Sequence, residues 1–124
     1  MNGKARIAVL VSGGGTNLQA ILDAQDQGIL ASGEVTLVIS DRPGAYALER
    51  ARTRGIPALE ISRRACGAAA FEEQLTAALE ANQTDLIVLA GFLSILSERF
   101  TTRYARRIIN VHPSLIPSFC GAGF

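Results

Sequence analysis

Five short apolar runs, separated from one another by segments of helical period, constrain this 124-residue chain more than any other feature. The runs cover residues 6–11, 34–40, 57–61, 85–90 and 107–111 and are rich in Val, Ile and Leu. The first, second and fourth are apolar on both faces, the pattern of strands buried in a parallel sheet. The segments between them read as helices. Residues 17–27 carry Leu18, Ile21 and Leu22 on one face and stop at Gly28. Residues 45–53 stop at Gly55, a residue suited to ending a helix. Residues 68–81 carry Phe71, Leu75, Ala78 and Leu79 at helical spacing, and residues 98–105 form a short fourth helix. The Ala-rich stretch 65–70 simply leads into the third.

The order is therefore βαβαβαβαβ. Such alternation predicts an α/β fold, with a parallel sheet and helices on both faces. Right-handed crossovers make it a doubly wound sheet. In sheets of this kind ligands bind beyond the carboxyl ends of the strands, near the point where strand order reverses. The length suits one domain, 1–124, with one core.

Two connections at those carboxyl ends carry chemistry. Val11-Ser12-Gly13-Gly14-Gly15-Thr16-Asn17-Leu18 joins the first strand to the first helix. Its glycines allow close backbone approach, and free amides at a helix start, with the helix dipole, favour an anion. Thr16 or Asn17 would cap the helix or add a donor. The loop lacks the Gly-Lys-Ser/Thr of a Walker motif. It also departs from the dinucleotide fingerprint, because Leu18 stands where the third glycine belongs. A phosphate monoester is the better fit, although Asp41, at the end of the second strand, invites comparison with a ribose contact.

The last strand runs into Asn110-Val-His112-Pro-Ser-Leu-Ile-Pro117, which holds the only histidine. On an extended backbone Asn110 and His112 point the same way, their Cα atoms roughly 6.5–7 Å apart. An amide and an imidazole at that spacing can converge on one small polar group. The two prolines end the strand and stiffen the loop beyond it.

The chain is 48% apolar and 19% charged, with a net charge of +1. That balance gives no electrostatic case for nucleic acid or a membrane as partner. Arg103, Arg106 and Arg107 read as a solvated helix end, where cations complement the dipole. No secretory signal opens the chain, and the longest apolar stretch, residues 86–93, is too short to span a bilayer. Cys66 and Cys120 lie far apart, and one histidine without a Cys-x-x-Cys offers no zinc set. Free thiols in a reducing cytoplasm are the simplest expectation. A nucleophilic pair of Cys120 and His112 would need a spatial contact that sequence proximity does not supply.

Taken together, Ser12-Gly-Gly-Gly-Thr-Asn-Leu-Gln-Ala20, Ser40-Asp-Arg42, Leu48-Glu-Arg-Ala51, Asp85-Leu-Ile-Val-Leu-Ala-Gly-Phe92 and Asn110-Val-His-Pro-Ser-Leu-Ile-Pro117 resemble the phosphoribosylglycinamide formyltransferases, folate-dependent enzymes of purine synthesis. The pieces run in that family's order over almost the whole chain. The resemblance implies a Rossmann-like formyltransferase fold. It also implies that the amine of glycinamide ribonucleotide attacks the formyl carbon of 10-formyltetrahydrofolate, without a metal. Gly15, Thr16 and Asn17 would hold the substrate phosphate. Leu93, Ser94, Ile95 and Leu96, with Asn110, would line the folate pocket. Asn110 would donate to the oxyanion of the tetrahedral intermediate, and His112 would stabilise the same charge and move a proton.

Two departures stand out. A basic residue that the family places before the third helix is Ala here, around Ala68, with Arg63 and Arg64 as nearby substitutes. The family's catalytic aspartate, well downstream of the histidine, has no counterpart within these 124 residues. The expectation is of an N-terminal portion with little or no transfer activity alone, prone to self-association at its unfinished sheet edge. Formyltetrahydrofolate deformylases and methionyl-tRNA formyltransferases share the Asn-x-His pair and are the alternatives. A phosphate-binding module without catalysis is a third.

Overall fold

The computed structural model describes residues 4–28 and 32–111. The strands are β1 (Ala5–Val11), β2 (Gly33–Ser40), β3 (Ala58–Glu60), β4 (Leu86–Ala90) and β5 (Ile108–Val111). The helices are α1 (Thr16–Asp26), α2 (Tyr46–Thr53), α3 (Arg63–Cys66), α4 (Ala68–Ala81) and α5 (Glu98–Arg103). All four strand pairings are parallel, and the order across the sheet is β3-β2-β1-β4-β5. The chain winds outward from β1 to β3, then returns to the other side of β1. The reversal therefore falls between β1 and β4.

The sheet divides the single core expected from length into two layers, one on each face, and the apolar pattern of the strands splits between them. Val9 and Val11 face Leu18 and Leu22 of α1 and Leu48 and Ala51 of α2. Ala8, Leu10 and Ile39 face Phe71, Leu75 and Leu79 of α4, with Phe100 and Tyr104 at α5. Burial on both faces is why these strands carry almost no polar residue in their middles. Burying each large side chain in these layers stabilises the fold by about 1.5–3 kcal/mol.

The expected elements are present with small shifts at their ends, and α3 is the one addition. It is a single turn capped by Ser62, whose hydroxyl accepts from the Ala65 amide at 3.2 Å. Gly67 separates it from α4 at φ 86° and ψ 161°, a conformation essentially closed to residues with a Cβ. The alanine run is thus split between two helices rather than forming one approach. The basic cluster also differs from expectation. Arg107 donates to the Thr84 carbonyl at 2.6 Å, and Arg103 pairs with Glu80 at 3.0 Å. Both guanidinium groups stand over the Tyr104 ring. These two cations tie α5 to α4 and to the start of β4, because each has an anion, carbonyl or ring within reach.

Candidate functional site

At the carboxyl end of β1 the chain turns through residues 12–15 into α1. Gly15 is the N-cap at φ 83°, so neither Thr16 nor Asn17 caps the helix, contrary to the expectation from sequence. Among the described residues no side chain accepts from the first amides of α1, and the helix itself supplies them no partner. A Cβ on Gly15 would lie 2.7 Å from the Ala47 Cβ and 2.8 Å from its Cα, so packing against α2 demands glycine there. Gly13 and Gly14 differ: a Cβ on either would meet nothing within 4 Å. Their missing side chains keep the turn open on its outer side.

The turn is held from α2. The Ala47 amide donates to the Gly13 carbonyl at 3.1 Å. Arg50 donates through Nε to the Gly14 carbonyl at 2.7 Å and through a terminal nitrogen to Gln19 Oε1 at 3.1 Å, while its guanidinium stands over the Tyr46 ring. Asn17 is only 7% exposed, and its amide makes no hydrogen bond to another described residue. It lies beside Gly91, directly after β4. Thr16 is exposed.

The loop after β4 meets this turn. The Leu93 amide donates to Ser12 Oγ at 2.8 Å, and the Ser94 hydroxyl donates to Asp41. Leu93 and Ile95 remain 64% and 83% exposed. Together with Asp41, Arg42, Arg63 and Arg64 they border an open cleft of about 830 Å³. Leu96 instead packs against the core below α4 and α5. Asp41 is buried and engaged by Ser94, so its carboxylate is not presented to a ribose. Arg42, Arg63 and Arg64 make no ion pair among the described residues. They give the cleft a positive character alongside the apolar Leu93 and Ile95.

Asn110 is exposed on β5. Register aligns it with Leu89, and Leu89 with Leu10, so its side chain leaves the sheet on the α4 and α5 face. Phe92 and Leu96 pack on that same face. His112 and Cys120 lie outside the described residues. Cys66 is a free, half-buried thiol that donates to the Ser62 carbonyl at 3.1 Å. Among the described residues no cluster of three or more His, Cys, Asp or Glu could hold a metal, and no helix is long and apolar enough to cross a membrane.

Sequence reasoning missed the grip of Arg50 on the glycine turn and the Asp41–Ser94 contact. Neither has a local signature, since the partners are 36 and 53 residues apart.

A sequence profile of the family described as formyl transferase matches residues 5–123. The chain belongs to the formyl transferase family. Within that family it is 45% identical over 122 residues to the trifunctional purine biosynthetic protein adenosine-3 of Drosophila melanogaster, covering 95% of this chain and 9% of that protein. It is 41% identical over 117 residues to the phosphoribosylglycinamide formyltransferase of Haemophilus influenzae, covering 94% of this chain and 55% of the relative. Glycinamide ribonucleotide transformylase 1 from Symbiobacterium toebii superposes with a TM-score of 0.83 at 45% identity, over 98% of this chain and 57% of the other. A formyltetrahydrofolate deformylase from Pseudomonas putida superposes with a TM-score of 0.80 at 25% identity, over 90% and 39%. This formyl transferase chain thus spans about half the length of the single-function relative, and less of the trifunctional one.

Proposed function

We propose that this formyl transferase chain holds glycinamide ribonucleotide and 10-formyltetrahydrofolate side by side and serves formyl transfer between them in purine synthesis. One observation carries the reading: the turn that leads from β1 to the uncapped start of α1 is hydrogen-bonded, through Ser12, to the loop that lines the cleft. That bond supports placing a phosphate at the helix start and a larger ligand in the cleft, both beyond the carboxyl ends of the strands.

The residues fit both ligands. The first amides of α1, from Gly15, Thr16 and Asn17, would receive the ribonucleotide phosphate, with the Asn17 side-chain amide, which has no partner among the described residues, as a further donor. The open side of Gly13 and Gly14 leaves room for it. The cleft offers an apolar lip, Leu93 and Ile95, to an aromatic ring system and three arginines to carboxylates, which are the two chemical faces of a folate. Bound there, the folate supplies the activated formyl group. Asn110 would donate its amide N–H to the formyl oxygen as negative charge develops, and His112 would stabilise that charge and move a proton.

Calorimetry of the chain with glycinamide ribonucleotide tests the phosphate half; absence of binding would defeat it. Transfer is assayed in the chain and in a fusion adding the remaining C-terminal length of the Haemophilus influenzae relative. In the fusion, Asn110→Ala is expected to lower turnover about 10²–10³-fold. His112→Ala should abolish transfer while ribonucleotide binding persists. The likeness to the deformylase gives a second reading. Hydrolysis of 10-formyltetrahydrofolate at a rate independent of added ribonucleotide would favour it.

A further inference from the structure

The loop after β4 is fastened at two consecutive residues to two different strand ends. Leu93 is held by Ser12 at the end of β1, and Ser94 by Asp41 at the end of β2. Because β1 lies between β2 and β4, the second contact crosses the crevice. Asp41 is only 4% exposed, and its Oδ1 is buried without a hydrogen-bond partner among the described residues. Burying a carboxylate against a single hydroxyl donor opposes folding. The Ser94 hydroxyl offsets part of that cost and leaves Oδ1 unsatisfied among the described residues, so the pairing only partly compensates for the burial it depends on.

What the contact secures is direction. Leu93 and Ile95 stand out into solvent on the lip of the cleft, although the next residue, Leu96, reaches the core. Two exposed aliphatic side chains on a free loop would fold inward to escape water. Fastening at residues 93 and 94 holds them outward, on the border of the cleft that Arg63 and Arg64 also line.

We propose that Asp41 and Ser94 form a latch that positions the Leu93–Ile95 lip for the folate. They are positioning residues for donor binding, and the ribonucleotide end, built on α1 and Arg50, does not depend on them. This rests on the folate reading of the cleft.

Calorimetry of the 124-residue chain with 10-formyltetrahydrofolate, and separately with glycinamide ribonucleotide, tests it on wild type, Ser94→Ala, Ser94→Thr and Asp41→Ala. Ser94→Ala is expected to weaken donor binding about tenfold while ribonucleotide affinity stays put, and to lower Tm because the buried Asp41 carboxylate loses its donor. Ser94→Thr keeps the hydroxyl and should keep the affinity. Asp41→Ala removes the acceptor and should fall with Ser94→Ala, and the double variant should be no worse than either. Amide hydrogen exchange at Leu93, Ser94 and Ile95 reads the latch without ligand and should quicken several-fold in Ser94→Ala. Unchanged donor affinity, or unchanged exchange, in that variant overturns the latch and leaves the cleft's assignment standing. A wild-type chain that does not bind the donor overturns both.

Discussion

Gly15 shows how one residue can bear two demands at once. Its positive φ and its contact with Ala47 both exclude a Cβ. Gly15→Ala is expected to cost about 1–3 kcal/mol, read as a lower urea midpoint, and to weaken ribonucleotide binding because the helix start moves. Arg50 offers the complementary case. Its planar fork reaches Gly14 and Gln19 together, which a lysine cannot reproduce. Arg50→Lys should leave the urea midpoint nearly unchanged and still lower ribonucleotide affinity, since the turn it steadies is the proposed phosphate site. Equal affinity in the two proteins would show that Ala47 alone suffices to hold the turn.

At the scale of elements, α4 and α5 are joined by polar as well as apolar contacts. Leu75 is fully buried between α4 and the sheet, and Leu75→Ala is expected to cost about 2–5 kcal/mol in denaturant unfolding. On the outer side, the Arg103 guanidinium and then the Tyr104 hydroxyl hold the Glu80 carboxyl below its usual range. Burial pushes the Tyr104 hydroxyl up. For a carboxyl with a lowered folded-state pKa, the unfolded chain takes up the proton first. The stabilisation from Glu80 is therefore present above the ordinary carboxylate pKa near 4.5 and is lost as pH falls through the folded-state value. Glu80→Gln should lie slightly below wild type in urea midpoint at pH 7, and the gap should close in acid. A gap that widens on acidification would contradict the pairing.

For the molecule as a whole, β5 pairs only with β4 among the described residues, and Ile109 on it is 50% exposed. An open edge with apolar flanks is a template for another strand. We expect the 124-residue chain to self-associate as its concentration rises; sedimentation velocity showing monomer throughout would refute this. Much of the architecture was legible beforehand, because strand and helix periods are local properties of consecutive residues. Phe71, Leu75 and Leu79 declared the inward face of α4, and Gly28 and Gly55 marked helix ends. The one-turn α3 was not legible: four residues are too few to show a period, and its signal was Ser62 before and Gly67 after.

By itself, then, the amino-acid order determined the alternation of elements and the glycine turn, and it set Asn110 and His112 two residues apart. Only the tertiary structure decided which strand ends became neighbours. Winding β4 back beside β1 brought Leu93 to Ser12 across 81 residues and Ser94 to Asp41 across 53. No periodicity in the chain encodes such contacts, because they depend on the order in which buried strands find one another in the sheet.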